Sequence, residues 1–495
     1  MELDIIGGSY QSPFKSVNSQ KTINYYVVNK TQIENNKTQK ALYPTPGLSR
    51  FATIPGTQVR GIYVANTLSA SRCFVVVDDA LLELSIDGTA TLIGVLPLGT
   101  NSSQPVYMFA NTNNQLAIVD GGCTCTFMDN FLIVTNNGNL AINCLDLSTN
   151  TLTAVTDVDI QPSAINAGRV YFSNSNDFTA WTGADVFTPT FRPDGVLRVY
   201  SFQSDIFCFG KDSIERYYND GATPFVRREG AVLLYGLIAP HSVAAFSNGI
   251  FFLGRSERGQ AQVYALTSDA QILPISPNTI TSQIGKGTNL QECIGYIHET
   301  KDGHIWYYLH VPSLDTTFVY DSINTEWHER KSAKPFLMAN GETEQGQFRG
   351  RCMANWDGLL LFGDRYSGNI FLEDTTLATE DTLSVYRERS TVVYTEEYKT
   401  LSVGAIELDL SLGSDYIPIT GQGSSPSMMF SISKNKGNSY YNERIITLDG
   451  SNNQNIRTRI LGIGSASQWG FKFSTSDPVR IAIVGATLRG SVGAS

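Results

Sequence analysis

The feature that most constrains this chain is a repeating unit of short, very apolar strand-like runs. Five segments align as copies: CFVVVDDALLELSIDGTATLIGVL at 73–96, IFCFGKDSIERYYNDGATPFVRREG at 206–230, IFFLGRSERGQAQVYALTSDAQILPI at 250–275, IWYYLHVPSLDTTFVYDSINTEWHER at 305–330 and LLLFGDRYSGNIFLEDTTLATED at 359–381. Two weaker copies fit at 115–134 and 169–181. The apolar strands then begin near 73, 115, 169, 206, 250, 305 and 359, a mean step of about 48 residues, which is the period of a four-stranded propeller blade. A lone blade cannot cover both of its faces, so copies must bury them against one another around a ring. Asn-Gly and Asp-Gly turn pairs punctuate the runs and 3.6-residue periodicity is nearly absent, as expected of an all-β chain built from hairpins.

The expected fold class is therefore all-β: a β-propeller of six or seven blades over 57–381, flanked by two segments outside the repeat. Residues 1–56 are polar and Asn-rich, with INYYVVN (23–29) and LYPTPGL (42–48) around QIENNKTQK (32–40), and read as an extended N-terminal arm that docks on something, with a mobile loop between. After about 382 the period breaks. Runs such as 385–413, 427–448 and 469–490 alternate polar and apolar residues around GQGSSPS (421–427). That pattern predicts a C-terminal antiparallel β-sandwich over 382–495.

Composition bounds the function. Of 495 residues, 42% are hydrophobic and 17% charged, with 25 Phe and 23 Tyr, so the chain packs a large core. Its formal net charge of −10 argues against a protein that grips nucleic acid or a membrane surface, both of which need a basic face. The first fifteen residues lack a basic stretch followed by an apolar run, so no signal peptide is expected. No apolar run is long enough for a spanning helix. The seven cysteines mostly sit in apolar runs and read as buried free thiols; Cys123-Thr-Cys125 is the one close pair and has no matching second pair for a zinc site.

The search for chemistry leaves no catalytic, cofactor-binding or metal-ligating residue to assign. Gly285-Lys286-Gly287 lacks the rest of a phosphate loop, and His328-Glu329 is not followed by the second His of a metalloprotease helix. Of the five histidines, His241, His298, His304, His310 and His328, the last four cluster in sequence. His304 and His310 would share a strand face, but six residues of strand hold them about 20 Å apart, too far for one metal. They read as surface and strand-end histidines. Ser433-Lys434-Asn435-Lys436-Gly437-Asn438-Ser439-Tyr440 is similar to the Asp-box turn of sialidases, S-x-D-x-G-x-T-W, which is a structural hairpin in that family, and Gly437 would supply its positive φ. The adjacent pairs Tyr25-Tyr26, Tyr217-Tyr218 and Tyr307-Tyr308 place one ring on each face of a strand, for core packing on one side and a contact platform on the other.

An ordered set of motifs carries a resemblance. The set begins with Ile23-Asn24-Tyr25-Tyr26 and Thr45-Pro46-Gly47-Leu48. Pro193-Asp194-Gly195 follows, with Ile206-Phe207-Cys208-Phe209-Gly210, Ser213-Ile214-Glu215 and Asn219-Asp220-Gly221. Gly303-His304 then leads to Val319-Tyr320-Asp321 and Trp327-His328-Glu329. Gly363-Asp364 with Gly368-Asn369-Ile370-Phe371, and finally Ser476-Asp477-Pro478-Val479, complete it. Together they resemble the tail hub of short-tailed bacteriophages, the packaged-DNA stabilisation or tail accessory factor family. The resemblance implies a non-enzymatic virion protein of the tail, assembled in the bacterial host cytoplasm. It would form a homo-hexameric ring below the dodecameric portal adaptor and extend the DNA channel, with DNA passing through the lumen without specific binding. On its far side the ring would hold the needle or plug and dock tailspikes or fibres. No cofactor is implied, and no membrane insertion of this chain. Two other readings stay open: a carbohydrate-binding receptor module, and a propeller glycosidase of the tail, which needs an Asp/Glu pair about 5–10 Å apart in a propeller mouth.

Overall fold

A computed structural model describes the chain except residues 1, 13–18, 33–36, 67–70, 98–102, 121–123, 136–140, 157–167, 222–224, 231, 338–342, 395–398, 414–421, 449–454 and 494–495. Among the described residues, seven antiparallel blades form a closed ring, so the expected six or seven resolves to seven. Four blades follow the chain in simple order. The first is Val59–Asn66, Ser71–Val77, Ala80–Leu84 and Ala90–Val95; the fourth is Val196–Phe202, Asp205–Gly210, Ile214–Tyr218 and Val226–Arg227. In the fifth, Tyr235–Leu237 and Ala244–Phe246 both pair with Gly249–Ser256, followed by Gln262–Thr267 and Ile272–Pro274. The sixth is Ile294–Glu299, Ile305–Val311, Thr316–Asp321 and Glu326–Leu337.

Closure is visible in the cores. One apolar cluster lies between each successive pair of blades: Phe74 and Leu116 between one and two, Ala117 and Phe178 between two and three, Ile133 and Val199 between three and four. Phe209 and Phe252 join four and five, Phe251 and Tyr307 five and six, Tyr308 and Phe362 six and seven. The last, with Val75 and Leu361, joins seven back to one. Each blade's second strand is thus walled on both faces. This is why Cys73–Val77, Asp205–Gly210 and Gly249–Gly254 are buried at every position and read as unbroken apolar runs.

Two departures from the linear repeat appear. Blades two and three interlock. Tyr107–Ala110 and Gln115–Asp120 begin blade two, the chain leaves to form the hairpin Cys125–Met128 and Phe131–Thr135 of blade three, returns with Ala141–Asp146 and Thr151–Ala154 to finish blade two, and closes blade three with Val170–Asn174 and Asp177–Phe187. The segments 115–134 and 169–181 are therefore not two copies. The first spans two blades, and the second holds the third and fourth strands of blade three, whose second strand is Phe131–Thr135. Blade seven draws three strands, Gly350–Trp356, Leu359–Asp364 and Ile370–Asp374, from the end of the repeat. Its fourth is Gly47–Ala52 from the N-terminus, antiparallel to Ile370–Asp374.

The strands of segment 1–56 are built into the propeller and the sandwich. Besides closing the ring, the segment supplies both sheets of the C-terminal sandwich. One sheet orders Ser19–Ile23, Arg387–Tyr394, Gln468–Thr475, Ser427–Ser433 and Tyr441–Thr447; the other orders Tyr25–Gln32, Lys37–Pro44, Ile481–Val492, Leu401–Leu412 and Asn455–Ala466. Leu3, Ile5, Tyr25, Val27 and Leu42 enter the sandwich core beside Trp469, Phe471 and Phe430. Ser19–Ile23 also pairs in parallel with blade six at Ile23 and Glu329, so one sheet runs from propeller into sandwich. The loop reading at 32–40 falls partly on residues outside the described set; Lys37–Lys40 are strand.

Candidate functional site

Two places concentrate buried polar chemistry: the propeller axis and the seam between propeller and sandwich. At the axis, the inner strands bring together side chains distant in sequence. Tyr107 of blade two shares a 2.6 Å hydrogen bond, Oη to Nδ1, with His241 beside the inner strand of blade five. These blades lie three places apart in a ring of seven, so the contact crosses the axis. The guanidinium of Arg198, from blade four, lies 4.1 Å above the Tyr107 ring. Arg351, from blade seven, donates to the Ser103 carbonyl at 2.6 Å and to Gln58 Oε1. Arg60, from blade one, is paired with Asp120 through both terminal nitrogens and reaches Asp79 at 3.1 Å.

The electrostatics follow from burial. His241 falls from 6.5 to about 3, first by desolvation and then by the charges of Arg198 and Arg351, so it is neutral. Desolvation also raises the Tyr107 phenol to about 12, and it lowers Arg351 to about 10 with help from Arg365. A neutral imidazole, a protonated phenol and a guanidinium stacked on it meet at the axis.

At the seam, Asn24 adopts a left-handed backbone at φ 53°. Its Nδ2 donates to the Lys331 carbonyl at 2.8 Å and the Tyr386 carbonyl at 2.7 Å, and its Oδ1 accepts from the Lys331 N–H at 3.0 Å. One side chain thus pins blade six to the sandwich. Arg389, fully buried, donates to the carbonyls of Ile5 and Gly8, to Thr22 Oγ1 and to Gln20 Oε1. Arg330 lies 3.8 Å over Phe348 and donates to the Pro46 carbonyl at 2.8 Å. The saturation of Arg389 offsets the cost of burying its guanidinium.

The structure relocates the sequence candidates. All five histidines are buried, correcting their reading as surface and strand-end residues. His304, Trp306, Tyr308 and His310 share one face of a strand region in a row of contacting rings, with His304 on Asp321 at 2.7 Å and His310 on Thr317 at 2.8 Å. His298 sits 3.3 Å from Glu373, both buried. Among the described residues no three His, Cys, Asp or Glu side chains gather closely enough for a metal ion. Cys123 lies outside the described residues; Cys125 is buried. The Tyr25-Tyr26 and Tyr307-Tyr308 pairs do point to opposite faces, but both faces are cores, so all four rings are buried and only Tyr218 is partly open. The Ser433–Tyr440 segment forms a tight hairpin with Gly437 at φ 79°, and the Lys436 carbonyl accepts from Ser19 Oγ at 2.9 Å.

Several motif residues turn out to be local staples. Asp194 Oδ2 accepts from the Asp212 and Ser213 N–H groups at 2.8 and 2.9 Å, Asp364 pairs with Arg349 at 2.9 Å, and Asp477 accepts from the Ser427 N–H at 2.8 Å. The sequence reading missed Arg60, Arg198, Arg330, Arg351 and Arg389. Their signal was arginine inside strand runs, as in Val-Leu-Arg-Val-Tyr at 196–200.

The fold is a seven-bladed propeller joined to a β-sandwich by the chain's own N-terminus. The family model described as Bacteriophage P22 Gp10, beta-propeller, matches residues 1–378, and that described as Bacteriophage P22 Gp10, beta-sandwich, matches residues 386–491. The chain belongs to the bacteriophage P22 Gp10 family, the tail hub and DNA-stabilisation proteins, and is a structural protein of the phage tail and hence of the virion. No curated protein matches its sequence. Solved structures similar to it include a regucalcin-like calcium-binding protein from Agrobacterium tumefaciens (12% identity, TM-score 0.32, 67% of this chain and 95% of that one). Others are a gluconolactonase from Xanthomonas campestris (9%, 0.30, 72% and 97%) and an exo-beta-1,3-galactanase from Phanerochaete chrysosporium (9%, 0.27, 88% and 96%). Likeness at this level carries no functional argument.

Proposed function

We propose that six copies of the chain form a ring below a dodecameric portal adaptor, extend the DNA channel and help retain packaged DNA. The far side of the ring docks the needle or plug and the tailspikes or fibres, and the protein acts by shape and multivalent contact, without catalysis. Assembly takes place in the host cytoplasm. Membership of the tail hub family over both parts of the chain carries this reading. The axis supports it: with Tyr107 and His241 in contact across the centre, a single propeller has no bore for a duplex, so a channel requires a lumen between copies. The formal charge of −10 per copy suits a lumen that lets DNA slide, because each lysine or arginine bound to phosphate would slow its passage. Repeated contacts give avidity without strong individual interfaces.

The test is cryo-electron microscopy and mass photometry of the purified chain, alone and mixed with a portal–adaptor complex. Six copies seated under the adaptor around an open, non-basic lumen is the expected result. A chain that never joins the portal complex, or a strongly basic lumen, overturns it.

A further inference from the structure

The second sheet of the sandwich carries a groove on its outer face. Leu42 lies opposite Ile483, and both point into the sandwich core. One residue along each strand, Tyr43 and Ala482 therefore point outward, as do Ser411, opposite Ala482, and Asn455, opposite Ser411. The neighbouring outward row carries Ala41 and the pair Asp409–Arg457, joined by two hydrogen bonds of 2.6 and 3.1 Å. Ala41, Ala482 and Ser411 are small, so the surface dips between Tyr43 on one side and Asn455 and Arg457 on the other. The result is a groove of about 760 Å³ with Gly413 and Arg480 at its end, within the size range of small-molecule sites. Arg480 runs alongside Gly413, where an added Cβ would lie 3.5 Å from the Arg480 Cβ and 4.0 Å from its Nη1.

The arginines of this sheet are unequally compensated. Arg457, Arg459 and Arg489 each pair with Asp409 or Glu407. Arg480 has no carboxylate within ion-pairing distance among the described residues, and its Nε is a buried donor without a hydrogen-bond partner. We infer that the groove binds an acidic oligosaccharide, whose carboxylate completes Arg480. Sugar hydroxyls meet Ser411, Asn455 and Asp409, and the apolar face of one ring lies on Tyr43. A peptide strand does not fit the floor, which is the middle of a sheet whose strands are already paired, because strand addition needs a free edge. Nucleic acid needs several uncompensated cations, and the described lining offers one. The groove belongs to a single chain, so the inference is independent of ring formation.

The test is isothermal titration calorimetry of the full-length chain. Trigalacturonate is the acidic probe and maltotriose the neutral one, with triglutamate and sulfate as controls for charge alone. Trigalacturonate should bind about tenfold or more tightly than any of the other three. Arg480→Gln should weaken its binding about tenfold or more, the worth of one charge-assisted hydrogen bond. Ser411→Trp, which fills the centre of the groove from an outward-facing position, should abolish it. Arg192→Gln, on the propeller beside Glu257, should leave it unchanged. No binding of trigalacturonate overturns the inference, and so does maltotriose binding as tightly. Triglutamate binding as tightly would mean an acidic-peptide site, and sulfate an adventitious ion only; either overturns it. Trigalacturonate binding to Arg480→Gln and Ser411→Trp as to wild type also overturns it. If the variants do not fold, wild-type crystals soaked in trigalacturonate decide: a sugar carboxylate against the Arg480 guanidinium supports the inference, and sugar found only elsewhere overturns it.

Discussion

Asn24 does with one residue what a longer linker would otherwise do. Its left-handed backbone lets one amide reach carbonyls on both sides of the seam, and no apolar or longer side chain can replace those bonds. Asn24→Ala should therefore destabilise the chain by about 3 kcal/mol, the order expected for several lost buried hydrogen bonds together with an alanine forced to positive φ; the shift in denaturant midpoint measures it. Histidines set a second residue-scale property. His241 and His328 are both lowered from 6.5 to about 3, chiefly by desolvation. The unfolded chain binds protons there that the native chain refuses, so stability is full above pH 6.5 and is lost as pH falls toward 3. Each contributes a slope of up to roughly 1.4 kcal/mol per pH unit inside that window. Melting temperatures between pH 7 and 4 should fall accordingly, and His241→Gln should flatten the decline. None of this was legible in the sequence. A histidine near a strand end reads as exposed until the neighbouring blade that covers it is known.

At the scale of elements, the apolar second strands were legible because burial on both faces removes the polar alternation of an ordinary strand. Six of the seven predicted starts, 73, 115, 206, 250, 305 and 359, lie at or within a few residues of the start of a second strand. Residue 169 failed because strand order in blades two and three departs from chain order, and a repeat search assumes that each unit is contiguous. The interlock has a physical consequence. The hairpin Cys125–Thr135 is completed as a sheet by Val170–Asn174, and Ala141–Asp146 returns past it to pair with Gln115–Asp120. Native-state hydrogen exchange should show the amides of these four strands opening as one cooperative unit with a shared denaturant dependence. Blade two exchanging separately from blade three would contradict this.

At the scale of the whole molecule, the N-terminus is the suture. Gly47–Ala52 closes the ring, Ser19–Ile23 continues blade six into the sandwich, and Leu3 to Leu42 feed the sandwich core. The chain carries a formal charge of −10, and six copies give a formal −60. Like-charged copies repel, so the proposed ring should assemble better as salt screens them. Mass photometry should show a larger hexamer fraction at about 200 mM than at about 20 mM salt, where the screening length is longer. A hexamer fraction that falls with salt would place attractive ion pairs, not repulsion, in control of assembly.

What the sequence by itself determined is local and periodic: the all-β class, the blade period, the change of pattern near 382, and an ordered set of motifs sufficient to place the family. These follow from side-chain polarity at fixed spacing along the chain. What only the tertiary structure decided is which distant segments complete one another. The arm became a closing strand and part of both sandwich sheets, two blades interlocked, and arginines from separate blades came to line one axis. Strand pairing is made by backbone groups common to every residue, and convergence on an axis depends on ring closure, so neither leaves a mark that spacing along the chain can carry.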